Sequence, residues 1–505
     1  MITNTAYLEK SKEELIAIIS QQSQHIDALS EIVRILRHRQ FGSKSEKLPP
    51  EQLGIFNEAE LPKNPELIEK ADEEIHIAAH SRKKSVGRKP LPDHLPREQC
   101  IHDLPENEKV CACGHALTHI KDEKSEQLEI IPAKVYVIEH VRKKYACRHC
   151  EETIKTAPMP VQPIPRSIAA PGLLSHVLVS KFQDHIPLHR QEQMLRRIGI
   201  DIPRSTLCLW TIRSAELFKP MMKLNHRRII DHDVAYSDET TVQVLKDPNK
   251  GAASKKYMWV FAGGPPDKFV FYYHYHHSRT HDVAANFFES YRGYIHCDGY
   301  PGYDALAAKS SDITLVGCLY HARRKFVEIT KVVKSKEGVA HDVLKYIAQL
   351  ARIEEEIKEL SRESKFEIRL GKAKPVLDDL HVYLTAMQPR IPPKSPLGQA
   401  VSYTLNQWPK LINYLRDGRL ENNNNRMERA IKPFAIGRKG WLFADSVAGA
   451  EAAAIIFSFV ETCKYHGVEP YDWFRHALQQ IPLCKTEEEL EALMPFNIDK
   501  DLLLR

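Results

Sequence analysis

DGRLENNNNRMERAIKPFAIGRKGWLF, residues Asp417 to Phe443, sets a helix start and places Glu428 early in that helix among many cations. Four consecutive asparagines, Asn422 to Asn425, suit the start, because short amides accept hydrogen bonds from the free N–H groups of a first turn. Arg426 to Lys432 are good helix formers. Pro433 biases Lys432 away from helical geometry, which predicts a short helix. Glu428 then lies early in that helix, near Arg429, Lys432, Arg438 and Lys439. Such a carboxylate serves a metal or phosphate site, or it makes surface ion pairs worth little. Two aspartates upstream, each in a β-rich setting, favour the first.

Val234 to Leu245 is β-branched and alternating and carries Asp238. Lys256 to Ala262 and Phe269 to His274 follow as strands, an antiparallel meander. Asp282 to Tyr291 reads as a helix. Gly293 to Cys297 is a fourth strand, ending at Asp298, and Ile313 to Leu319 a fifth, running into the basic helix start His321-Ala-Arg-Arg-Lys-Phe326. This order predicts a mixed α/β sheet. Val343, Ile347, Leu350, Ile353, Ile357 and Leu360 keep helical spacing, so 335–416 reads as an all-helical insertion before the Glu428 helix. Asp238, Asp298 and Glu428 can converge at one sheet edge. There they repel one another unless divalent cations lie between them, and two Mg²⁺ ions suit phosphodiester chemistry. A lone aspartate at a strand end is more commonly a turn residue; three acids in this order are harder to dismiss. Gly449 to Gly467 is a small-residue-rich helix stopped by Gly467. Two short helices fill the tail.

Upstream, Leu15, Ile19, Gln22, Ile26, Leu29, Val33 and Leu36 form a heptad seam, which predicts self-association through a coiled coil. Residues 81–92, SRKKSVGRKPLP, are basic and extended and read better as a solvated linker than as a minor-groove arm. Cys111 and Cys113 are answered by Cys147 and Cys150, a pattern that supplies four thiolates to a structural zinc. The tight first knuckle leaves Cys100, His102, His115 or His149 as alternative ligands. Leu128 to Cys147 alternates like a hairpin strand leading into the second knuckle. In 170–230, a helix over Gly172 to Phe182 and a second over Leu188 to Ile198 precede a turn at Gly199. A third helix starts at Pro203, and the layout is that of a helix-turn-helix, with Ser205 a cap and Arg204 a phosphate or base contact.

The 505 residues predict roughly three or four domains. With 43% apolar residues the cores are ample, and a net charge of +6 is mild but patchy. The cysteine distribution excludes a secreted disulfide framework and suits a reducing compartment. No signal pattern opens the chain, and the most apolar run, Ala452 to Val460, is too short to span a bilayer. A cytoplasmic protein without membrane contact is expected.

The stretches SDETTVQV, HCDGYPGYDAL, GCLYHARRKFVE and NNNNRMERAIKPFAIGRKGWLFADSVAGAEAAA resemble the DDE transposases of the insertion-sequence-sixty-six family. FGSKSEKL, the cysteine module and the tail YDWFRHAL…LEALMPFN add to the resemblance. It implies a ribonuclease-H-like catalytic core with a helical insertion, preceded by coiled-coil, zinc-binding and helix-turn-helix modules. The expected boundaries are 1–48 for the coiled coil, 49–98 for a linker, 99–157 for the zinc domain and 165–230 for the helix-turn-helix. The core then spans 231–334 and 417–467, around the insertion at 335–416, with a tail domain at 468–505.

Asp238, Asp298 and Glu428 fall on the family's catalytic positions, and the resemblance implies Mg²⁺ or Mn²⁺, two per site, with structural Zn²⁺. Arg323, Arg324 and Lys325 are expected to hold phosphates near Asp298, and Arg429, Arg438 and Lys439 near Glu428. Trp441 is expected in the core. Asn423 stands where the family often has Asp, and Gly440 where Asn is frequent. Implied partners are double-stranded DNA (element ends and target), further copies of the chain and small accessory proteins, in a bacterial, nucleoid-associated setting. Two alternatives remain: a nuclease or integrase on the same fold, and a DNA-binding regulator without catalysis.

Overall fold

The computed structural model describes residues 135–146, 154–331 and 337–499, with scattered positions between 11 and 37. The four cysteines of the expected zinc site, their alternatives and the basic 81–92 segment lie outside the described residues. Two compact units emerge, Pro62–Met159 and Met1–Leu61 with Pro160–Arg505. In the smaller, β1 (Lys144–Ala146) leads into the second cysteine pair and β2 (Ile154–Thr156) returns antiparallel to it. The expected strand is short: residues 135–143 are exposed and without regular structure. Of the heptad seam, Ile19, Ile26, Leu29 and Val33 are helical and exposed, an apolar stripe with no cover among the described residues.

The larger unit is built on a five-stranded sheet in the order β6-β5-β3-β7-β8. β3 (Val234–Val242), β5 (Lys256–Gly263) and β6 (Val270–His276) run antiparallel. β7 (Gly293–Cys297) and β8 (Ile313–Gly317) continue parallel to β3. The parallel crossover is helical: α4 (His281–Phe287), shorter than the 282–291 expected, precedes β7, and α5 (Pro301–Lys309) links β7 to β8. Gly293 opens β7 at φ 135°, where a Cβ would lie 2.3 Å from the Asp233 carbonyl.

Helices cover both faces. On one, Phe287, Tyr303 and Leu306 of α4 and α5 close a core over Trp259 and Ile295. On the other lie α1 (Pro171–Phe182), α2 (Leu188–Arg197) and α3 (Arg204–Ile230), which share one core with the sheet and with α12 (Val447–Tyr465). α12 is buried almost throughout, which explains its apolar run. It also protects the edge strand. Ser458 and Thr462 donate to carbonyls one turn back, Ala454 and Ser458, and accept from the outward N–H groups of Tyr273 and Phe271 at 2.8 and 3.1 Å. An edge strand with its amides occupied does not recruit another strand. Among the described residues no helix is long and apolar enough to cross a membrane.

After β8 come α6 (Leu319–Thr330) and the helical segment α7 (Val339–Glu356), α8 (Arg362–Ile368), α9 (Lys374–Met387) and α10 (Pro396–Leu411). α11 (Asn425–Trp441) follows, then β9 (Ala444–Ser446), which pairs with β4 (Val244–Lys246). The tail is α13 (Pro470–Gln480) and α14 (Glu487–Ala492).

One local expectation fails, and the capping by an asparagine amide holds at Asn423 and not at the N-cap position. Pro433 does not end α11; the helix runs through it to Trp441. The proline forfeits one backbone hydrogen bond, but Met427, Ala430, Phe434 and Gly437 are buried along one face and hold the helix on the core. Nor does the N-cap residue, Asn424, cap with its side chain. Asn423 accepts instead from the Asn425 N–H at 3.0 Å.

Candidate active site

β3 and β7 pair with an offset of 60 residues, Val234 with Tyr294 and Tyr236 with His296. The same offset carries Asp238 and Asp298 to one level, just where β7 ends. Asp238, in the middle of β3, thus stands beside Asp298, which directly follows the C-terminal end of β7. Asp238 accepts from the Glu239 N–H at 2.8 Å, and Asp298 from the Tyr300 N–H at 2.9 Å as the chain turns into α5. Gly299 leaves room for Tyr403 of α10, whose hydroxyl a Cβ there would meet at 2.7 Å.

The third carboxylate arrives from α11. The asparagine run works as a tie between strands. Asn422 accepts from the Leu319 N–H at 2.9 Å, and the Asn424 N–H donates to Cys318 Sγ at 3.3 Å. The Asn424 amide reaches the Ser237 carbonyl at 3.5 Å, one residue before Asp238. Buried Asn422 and Asn424 therefore lock the start of α11 to β3 and to the end of β8. This sets Glu428 in the first turn, facing His321 Nε2 at 3.6 Å and Arg324 at 3.4 Å.

Burial dominates the electrostatics, and like charge adds to it. Burial pushes Asp238 well above the usual carboxylate range, and Glu239, Asp298 and Glu428 push it further. Burial and then Asp298 raise Glu239, whose side chain is almost fully buried. Arg279 opposes this by pairing with Glu239 and reaching Asp298 at 3.6 Å. Burial lowers the affinity of His321 for a proton, against the pull of Glu428. Burial and then Asp298 raise the Tyr403 phenol to about 12.

Hard carboxylate oxygens held close against their own repulsion suit divalent cations. In kind, the donors fit Mg²⁺ or Mn²⁺. Among the described residues, however, no three metal-binding side chains are drawn into one ligand group. Arginines take up part of the negative charge instead.

Of the other expected contacts, Arg324, Lys325, Arg429 and Lys439 are exposed and Arg323 half-buried. Lys325 lies over the Tyr403 ring at 4.5 Å. Arg438 is tied to β3 through Thr241 Oγ1 at 3.0 Å and the Thr241 carbonyl. Arg204 and Ser205 are exposed at the start of α3, where Pro203 holds the cap position and Ser205 does not cap. Trp441 is half-buried, packed edge-on against Phe434 at 5.6 Å. The sequence reading missed Glu239, Arg279, His321, Asn424 and Tyr403. Glu239 carried a signal, standing next to Asp238 on an alternating strand. Arg279 and Tyr403 come from a loop and a distant helix and carried none.

Residues 166–452 match the family described as Transposase IS66 family. Residues 108–151 match the zinc-finger binding domain of transposase IS66, 28–99 Transposase C of IS166 homeodomain, and 458–496 the IS66 C-terminal element. The uncharacterized protein y4jD of Sinorhizobium fredii is 34% identical over 423 residues, 81% of this chain and 82% of that protein. The uncharacterized protein y4qI of the same organism is 30% identical over 506 residues, 96% of this chain and 92% of that protein. With a zinc-finger module ahead of a matched segment that contains all three carboxylates, the chain belongs to the IS66 transposase family.

Proposed function

We propose that the protein is a DNA transposase that binds the ends of its mobile element, cleaves them hydrolytically and joins the resulting 3′-OH ends to target DNA. The observation that carries this reading is the level placement of Asp238 and Asp298 on neighbouring parallel strands, with Glu428 close enough to raise Asp238. Three antiparallel strands followed by two parallel ones, with helices on both faces, support a ribonuclease-H-like core.

Two Mg²⁺ or Mn²⁺ ions held by Asp238, Asp298 and Glu428 would activate the attacking oxygen and stabilise the leaving one. The chain's own groups do the positioning. Arg324 and His321 orient the Glu428 carboxylate, and Arg279 keeps Asp298 apart from Glu239. Arg323, Arg324 and Lys325 on α6, with Arg429, Arg438 and Lys439 on α11, hold phosphates on either side of the carboxylates. Arg204 and Ser205 at the exposed start of α3 contact the element ends. Cys111, Cys113, Cys147 and Cys150 bind a structural zinc. The exposed seam through Ile19, Ile26, Leu29 and Val33 pairs copies of the chain. Small proteins encoded by the same element assist.

The test is strand transfer. Pre-cut, labelled element-end duplexes are incubated with the protein, Mg²⁺ and a plasmid. Labelled ends joined covalently to the plasmid through their 3′-OH are expected. Cutting of uncut flanking duplexes in the same buffer, with pre-cut ends never joined to the plasmid, would leave a nuclease and refute the transposase.

A further inference from the structure

We propose that Leu442 and Phe443 form an apolar wedge that enters a base step of duplex DNA beside the catalytic carboxylates; this rests on the transposase reading. Leu442 lies at φ 64° and ψ −53°, and the Phe443 N–H donates back to the Trp441 carbonyl at 2.8 Å. That is a γ-turn of the rare, strained hand. Strain of this kind persists only where the surroundings over-determine it. Here they do. Arg438 grips Thr241 on one side, and on the other the Ala444 N–H donates to the Gln243 carbonyl at 2.9 Å as β9 joins β4. Trp441 supports the turn from behind, against Phe434. The result is a fixed tip that turns both side chains outward, with Leu442 63% and Phe443 43% exposed.

An exposed leucine–phenylalanine pair on a rigid mount calls for a partner, and the neighbouring charge identifies it. Lys439 is exposed in the last turn of α11, with Arg438 beside it. The one carboxylate of the adjoining β9, Asp445, is neutralised by Lys246 at 2.9 Å. Basic residues flanking Leu and Phe are the means by which proteins hold phosphates while parting a base step and kinking the duplex. Gln243 is five residues beyond Asp238, so the tip stands about 17 Å along the strand from that carboxylate at about 3.3 Å per residue. On DNA this is about five base steps, at about 3.4 Å each. A kink there would bend the duplex over the site and free the scissile strand to approach Asp238.

The experiment uses the full chain, wild type and the double variant L442G/F443A. Glycine accepts the γ-turn without strain, so the variant keeps the turn and loses the tip. Duplexes from the DNA flanking the gene carry 2-aminopurine at one position each. Wild-type protein should raise the fluorescence at one or two positions about five steps from the cut. The variant should lose that rise and cut roughly tenfold more slowly, and a mismatch at the same position should restore its rate. Equal fluorescence and equal cutting would overturn the wedge and leave the transposase reading intact. Unchanged fluorescence with altered self-association in sedimentation would also overturn it and assign the pair to a protein contact. Wild-type protein that neither binds nor cuts any flanking duplex would overturn the functional reading itself, and the wedge with it.

Discussion

Asp298, just past the C-terminal end of β7, stands level with Asp238 in the middle of the neighbouring parallel strand β3, because their separation in sequence equals the β3–β7 pairing offset. Burial disfavours ionisation of Asp238, and the neighbouring Glu239, Asp298 and Glu428 add to that. The arrangement costs stability without a counter-ion, which is the expected condition of a site kept for metal-dependent chemistry.

Replacing Asp298 by asparagine should therefore separate function from stability. Cleavage should fall by about 10³-fold or more, since a positioned group in a single catalytic unit is lost. Duplex binding should change little, and the melting temperature should stay level or rise. Gel-shift, cleavage and calorimetry on the same preparation check all three.

The raised Asp238 has a pH consequence whose sign is fixed. Its proton is held more tightly in the folded than in the unfolded protein, so stability falls as pH rises from the ordinary carboxylate range, about 4, towards the raised folded value. Mg²⁺ should reverse that loss. Melting curves between pH 5 and 8, with and without Mg²⁺, should differ in wild type and converge in Asp238→Asn; a Mg²⁺ shift of equal size in the variant would assign the ion elsewhere.

His296 behaves in the opposite way. Burial lowers its pKa to about 4, and the ring stacks on Tyr236 at 4.6 Å. A histidine with a depressed folded pKa stabilises above its unfolded value, about 6.5, and that stability is lost as pH falls towards the folded one. The loss approaches about 1.4 kcal/mol per pH unit. His296→Phe should flatten the acid limb of the stability profile between these values.

Arg369 anchors the helical segment. Its side chain is buried, forks onto Glu354 at 2.9 and 2.6 Å, and donates to the Asp417 carbonyl at 3.1 Å. Arg369→Met leaves Glu354 without its partner and should cost about 3–5 kcal/mol. Arg369→Lys should recover only part, because an ammonium cannot fork. Denaturant titration measures both.

Much of this was legible in the chain. The strands that carry Asp238 and lead to Asp298 stand where the sequence put them, and the helical period of the insertion holds from Val343 to Ile353 in α7, while Leu360 lies beyond that helix and is exposed. Local rules failed where tertiary contacts outweighed them. Pro433 punctuates a helix in isolation, but the buried face through Met427 and Phe434 carries α11 past it. Asparagines cap helices, yet Asn424 is spent on Ser237 and Cys318, partners that become neighbours only once the sheet has formed. Arg279 reads as an ordinary loop residue, and only the fold delivers it to Glu239 and Asp298.

The exposed seam gives a further prediction. Ile26→Asp with Leu29→Asp puts charge on two apolar seam positions, 63% and 50% exposed in the single chain. Sedimentation should show the wild type self-associated and the double variant shifted to monomer. Unchanged sedimentation would move the contact elsewhere.

The central claim is that Asp238, Asp298 and Glu428 act together on a phosphodiester. Its most direct test is a cleavage assay with wild type and Glu428→Gln on labelled duplexes from the DNA flanking the gene, in Mg²⁺ or Mn²⁺. Specific cuts that leave a 3′-OH in wild type and vanish in the variant are predicted. Cleavage by Glu428→Gln at the wild-type rate would contradict the assignment.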